Sequence, residues 1–196
     1  MSDPIIIIEF NSDRTLSGNL TLMDGPDIIL AGPYEALGLA DSSAAKAKGN
    51  PDRDPTHIYG DTPTGTYNIP GMFETGTGTR YSERSYGNAG ALILEPIEGE
   101  AKKARLNGRS GLLIHGGATR NGELRPTHGC IRLFNEDLAE LIEIIWSRDS
   151  YEKLLCQIVE VDLFTDLVFK SIKNEDISDP PIIPAKASRL IPQTFK

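Results

Sequence analysis

One stretch of this chain carries a clear helical period. From Asn135 onward, Leu138, Leu141, Ile142 and Ile145 fall at i, i+3, i+4 and i+7 and make a single apolar face. Asn135 can cap that helix, and Glu136 and Asp137 favour its positive end. The other apolar runs are strand-length: IIIIEF (5–10), LTLM (20–23), DIIL (27–30), ALILEPI (91–97), GLLIHGG (111–117) and LLCQIVEVDLF (154–164). Asp24-Gly25 between the second and third of these reads as a hairpin turn. GDTPTGTYNIP (60–70) reads as a turn leading into a short strand. Many short strands and one good helix predict a mainly β, β-rich α+β fold. The 19 Gly and 13 Pro fit a body with many turns.

Between the strands, residues 38–56 read as a polar surface loop with one helical turn at SSAAKAK. EAKKARLNGRSG reads as a short helix ending at Asn107-Gly108. ATRNGELRPT (118–127) is a loop with a turn at Asn121-Gly122. The composition shifts after about residue 173, where four prolines mark an extended tail. A length of 196 residues favours one domain plus an appendage: a body over 1–172 and a proline-rich tail over 173–196.

Charge excludes two partner classes. A net charge of −8 argues against nucleic acid as the main partner and against adhesion to an anionic membrane. No apolar run approaches the ~18–20 residues that membrane insertion needs. MSDPIIIIEF is not a Sec signal peptide: its apolar run is short, with Asp ahead of it and no Lys or Arg. On that reading the chain stays in the cytoplasm or leaves by a route that ignores Sec signals. The glycine-rich FETGTGTRYSERSYGNAG (73–90) lacks the GK[ST] ending of a phosphate loop.

The reactive residues are few and grouped. Of three His and two Cys, His128 and Cys130 flank Gly129 in RPTHGCIRL, and His115 ends a strand in IHGG. These types suit nucleophilic acyl transfer. A free thiol titrates at about 8.5 and needs an imidazole or a cation to yield thiolate near neutrality. His115 lies on a separate segment from Cys130, so a fold can bring the two together across a cleft. Gly116 and Gly129 leave room for a substrate backbone and free N–H groups for an oxyanion. Arg132 can grip a carboxylate in bidentate fashion.

Each residue also has a plainer reading. Cys130 can be core, His115 can be a hydrogen-bonded structural group, and Arg132 can pair with Glu136 or Asp137. A zinc site from His115, His128, Cys130 and His57 is a further alternative, although the paired CxxC and HxxxH spacings are absent. His57, in DPTHIYG, reads as structural or exposed. Cys156, within a strand, reads as a small core residue, and two cysteines make no disulfide framework.

IHGG followed by THGCIRL resembles the signature of the L,D-transpeptidase catalytic domain, often called YkuD-like. There a His-Gly pair precedes Ser/Thr-His-Gly-Cys, with Arg or Asn two residues after the cysteine. Thr62-Pro63-Thr64-Gly65-Thr66-Tyr67 resembles the family's TPxG-aromatic segment. The resemblance spans residues 60–134. It implies a sandwich or barrel of mixed sheets with one main helix after the cysteine. It implies Cys130 as nucleophile and His115 as general base. His128 would shape the site, and the amides of the His128–Cys130 turn, Gly129 included, would form the oxyanion hole. Thr127 and Arg132 would brace the turn and, with Gly116, meet substrate. No cofactor and no metal is implied.

The implied substrate is a peptidoglycan stem peptide, cut before its fourth-position D-alanine. A second stem then gives a 3–3 cross-link, a D-amino acid gives exchange, and water gives L,D-carboxypeptidase activity. A non-catalytic wall-binding or protein-binding module on the same fold is the alternative. Residues 1–59 and the tail match nothing in the family pattern. A substrate in the periplasm or cell wall sits awkwardly with a chain lacking a Sec signal. Three routes reconcile them: a trimmed chain given a new Met, action on stem fragments in the cytosol, or delivery by a specialised secretion machine as a toxin effector. The last would bring an immunity or secretion partner protein.

Overall fold

Strand β1 (Ile5–Asn11) alternates inward Ile6, Ile8 and Phe10 with outward residues, as one buried sheet face requires. Its neighbours repeat the pattern, and a mixed nine-stranded sheet results. The structure, a computed structural model, describes residues 3–147 and 153–162. The remaining strands are β2 (Gly18–Met23), β3 (Ile29–Ala36), β4 (Gly65–Asn68), β5 (Met72–Phe73), β6 (Ala91–Pro96), β7 (Leu112–His115), β8 (Ile131–Arg132) and β9 (Leu155–Val161). Their order is β3-β2-β1-β9-β4-β6-β7-β8, with β5 paired to β6. β1/β9 and β7/β8 are parallel and the other pairs antiparallel.

The two ends of this order meet. Leu37 and Arg132 exchange backbone hydrogen bonds at 2.9 Å in both directions. Asp41 N–H donates to the Thr127 carbonyl, and Thr127 N–H donates to that of Leu39. The segment following β3 thus closes the sheet onto β8 and the turn before it, giving the barrel-like, mainly β body expected.

Four helices decorate the sheet: α1 (Ser42–Ala47), α2 (Glu83–Tyr86), α3 (Gly99–Leu106) and α4 (Asn135–Trp146). α4 buries Leu138, Leu141 and Ile145, with Ile142 partly buried, the face its period predicts. Burying such a side chain is worth about 1.5–3 kcal/mol. Among the described residues no helix is long and apolar enough to cross a membrane.

Several expectations are corrected. Asn135 does not cap α4: Phe134 occupies the cap position, and Asn135 Oδ1 accepts a bond from Gly117 N–H at 2.8 Å. The third strand runs eight residues rather than ending at Leu30, passing Pro33 at the terminal strand of the order, where β-bulges loosen the register. β5, α2 and β8 form where no element was expected. Cys156 is fully buried opposite Ile6, and both cysteines are free thiols. The proline-rich tail (173–196) and residues 163–164 of the last expected strand lie outside the described residues.

Candidate active site

The turn Thr127–Cys130 is built from one hydroxyl outward. Thr127 Oγ1 accepts from Gly129 N–H at 2.9 Å and donates to the Cys130 carbonyl at 2.8 Å. Gly129 has φ +106°, a region other residues rarely adopt. A Cβ there would run into Arg109 Nη2 and the Gly60 carbonyl oxygen. The glycine is therefore demanded by the backbone and by Arg109. Its own N–H is taken by Thr127, so the expected oxyanion donors narrow to His128 and Cys130, whose amides have no bond to the described residues. Gly129→Ala is expected to cost about 3 kcal/mol or more from backbone strain and overpacking. Urea unfolding within about 0.5 kcal/mol of wild type would contradict this.

Cys130 is partly exposed, and its thiol donates to the Gly111 carbonyl at 3.7 Å. Burial pushes the thiol pKa up, against the pull of the Leu113 N–H and of the Arg109 and Arg132 charges. His115, 3% exposed at the end of β7, sets its Nδ1 2.7 Å from the Gly116 carbonyl oxygen. A carbonyl only accepts, so Nδ1 carries the proton and Nε2 is the free base. Burial, then the charge of Arg132, pulls the His115 pKa to about 4. The imidazole is thus neutral at pH 7. Its ring centroid lies 4.8 Å from that of Tyr86. No hydrogen bond joins Sγ to His115 in this resting arrangement, yet both line one cleft of about 310 Å³.

The cleft is cationic in a chain of net charge −8. Arg84, Arg125 and Arg132 line it, against the single carboxylate of Asp41. Asp41 is already engaged by Ser43 Oγ and the Ala44 amide at the start of α1. Arg132 is 7% exposed and forms no ion pair with Glu136 or Asp137. Its Nη1 and Nη2 donate to the Ala118 and Ser85 carbonyls at 3.4 and 3.2 Å, while its buried Nε has no partner among the described residues.

The other expected residues divide. His128 is exposed on the cleft, its ring centroid 4.7 Å from that of Tyr59. Gly116 is buried and off the cleft wall: its N–H donates to the Tyr86 carbonyl, and its missing side chain makes room for Asn135. His57 pairs with Asp54 at 3.1 Å. Among the described residues no group of three or more His, Cys, Asp or Glu is placed to hold a metal.

Sequence reasoning missed Arg109 and the part played by Thr62. Thr62 Oγ1 donates to the Gly129 carbonyl at 3.0 Å, which ties the TPTG segment to the Cys130 turn. The TPTG pattern was the signal for Thr62; Arg109 lies in a loop without a motif.

Fold and cleft together define a β-rich cysteine–histidine domain. The family model of the L,D-transpeptidase catalytic domain, YkuD, matches residues 46–150, just over half of the 196-residue chain, and the protein belongs to that family. The structure of Bdellovibrio bacteriovorus Bd1075 is similar at a TM-score of 0.50 and 15% identity, over 88% of this chain and 55% of that one. The helical cell shape determining protein Pgp2 from Campylobacter jejuni is similar at a TM-score of 0.44 and 19% identity, over 82% of this chain and 49% of that one. The likeness to Bd1075 is one of fold. The chain spans about half the length of these solved chains. None of the curated proteins matches it.

Proposed function

We propose that this protein is a cysteine acyltransferase of peptidoglycan stem peptides, with Cys130 as nucleophile and His115 as its general base. The supporting observation is the protonation pattern: a neutral imidazole, with Nε2 unprotonated, faces the same cleft as the one accessible thiol. In the resting arrangement Sγ donates to the Gly111 carbonyl, and the reaction requires that it exchange this weak bond for one to Nε2. Bonds of this kind are often long before substrate arrives.

In the first step Nε2 takes the thiol proton and Sγ attacks the carbonyl of the third stem residue. The oxyanion is met by the amides of Cys130 and His128. The C–N bond then breaks, D-alanine leaves with the proton held by His115, and a thioester remains on Cys130. Attack by a stem amine gives a 3–3 cross-link, a free D-amino acid gives exchange, and water gives hydrolysis. The cationic wall of Arg84, Arg125 and Arg132 suits a substrate rich in carboxylates, and His128 and Thr127 shape the site around the scissile bond. The place of action is the periplasm or cell wall. Delivery as an antibacterial effector, with an immunity or secretion partner, fits the reading.

Incubation with tetrapeptide muropeptides, followed by mass spectrometry, tests it. D-alanine release is expected, with dimers if transfer dominates and tripeptide if water does. Unchanged tetrapeptide after prolonged incubation with folded protein would refute the reading.

A further inference from the structure

Arg109 is 3% exposed and forms no hydrogen bond to a carboxylate. Its guanidinium gathers backbone carbonyls instead. Nη1 donates to those of Pro55 and of Asp61, the latter at 2.8 Å. Nη2 donates to Gly60 at 2.8 Å and to Gly129 at 3.3 Å. The Gly129 carbonyl is thus held twice, by Arg109 and by the fully buried Thr62 hydroxyl at 3.0 Å. Neither side chain lines the cleft that Cys130 faces.

The peptide unit between Gly129 and Cys130 is trans and planar, so its carbonyl and its N–H point in opposite directions. Fixing the carbonyl toward Arg109 and Thr62 turns the Cys130 N–H away from the buried side. That N–H has no partner among the described residues. The same arginine sets a permanent positive charge behind the turn that carries the sulfur.

We infer that Arg109 and Thr62 are positioning residues for the nucleophile: they lock the Gly129–Cys130 peptide so that the Cys130 amide serves as oxyanion donor, and the Arg109 charge favours the thiolate. The inference rests on the cysteine acyltransferase reading. A residue that merely held the 55–61 loop would do neither.

Two readouts separate the roles: the rate of Cys130 alkylation by iodoacetamide against pH, and kcat and KM for D-alanine release from tetrapeptide. Cys156, fully buried, reports misfolding if it becomes labelled. In Arg109→Met the thiol inflection is expected to rise by about one unit and kcat to fall at least about tenfold. Arg109→Lys should restore the inflection but not kcat, since one ammonium cannot span the same set of carbonyls. Thr62→Val should leave the inflection in place and lower kcat about tenfold with KM little changed.

Folded Arg109→Met with a wild-type inflection and kcat would overturn the inference. Should Arg109→Met label Cys156, the other two variants decide it, and wild-type kcat in both would overturn it. The alkylation arm uses no substrate. A normal thiol response in wild type without any D-alanine release would therefore count against the acyltransferase reading and not against the clamp.

Discussion

Cys130→Ala is expected to lower D-alanine release from tetrapeptide stems by at least about a thousandfold. No other described thiol can take over, because Cys156 is fully buried in register with β1, and burial pushes its pKa well up. Cys130→Ser should lose comparably. A hydroxyl ionises far less readily than a thiol, and a neutral imidazole is a weak base for it. Stability should hardly move. The side chain is partly exposed and its bond to Gly111, at 3.7 Å, is weak. The melting temperature should stay within a few degrees, since trimming one half-buried sulfur with a single weak bond costs no more than about 1 kcal/mol. Residual activity above a tenth of wild type would remove the cysteine from the chemistry and favour a binding module on this fold.

His115→Asn should lower the same rate at least about a hundredfold, since the amide can keep a donor toward the Gly116 carbonyl but offers no base. The same substitution tests the charge state. The folded pKa lies near 4 and the unfolded one near 6.5. Between those values the unfolded chain binds a proton that the folded chain does not, so stability rises with pH across the window and is lost as pH falls through it. The full change amounts to about 3 kcal/mol. Urea titrations at pH 4 and pH 7 should show this slope in wild type and a reduced one in His115→Asn. The acid limb of kcat/KM should likewise lie near pH 4 rather than near 6.5. An acid limb near 6.5 would mean that His115 is solvated and charged in the working enzyme.

The parts of the fold legible in the sequence were those with a local signature. α4 declares itself by a full helical period, and β1 and β2 by strand-length apolar runs. β5 and β8 are two residues each and exist because neighbouring strands pair with them, which no local pattern encodes. α2 buries no residue, so it carries no hydrophobic period. Asn135 looked like a cap because the sequence places it before an apolar run. Tertiary packing offered it the Gly117 amide instead.

The site divides in the same way. Thr127, His128, Cys130, Arg132 and His115 come from two short motifs and meet in one cleft. Gly129 was legible as a glycine but not for its reason, which lies 20 residues away in the Arg109 guanidinium. Arg109 meets the turn directly at the Gly129 carbonyl and the 55–61 loop beside it, but only once the chain is folded, so nothing near it in sequence marks its role. Arg84 joins the cleft from α2 and Arg125 from the loop before the turn, and no local pattern in either segment marks its arginine for the site.

The central claim is that Cys130 carries the acyl group. Intact-mass spectrometry of the protein, quenched in acid shortly after mixing with tetrapeptide muropeptide, tests it most directly. The account predicts an adduct equal to the muropeptide minus D-alanine, mapped by peptide digestion to Cys130 and absent in Cys130→Ala. D-alanine released by wild type with no such adduct at any quench time, or an adduct of the same mass on Cys130→Ala, would contradict it.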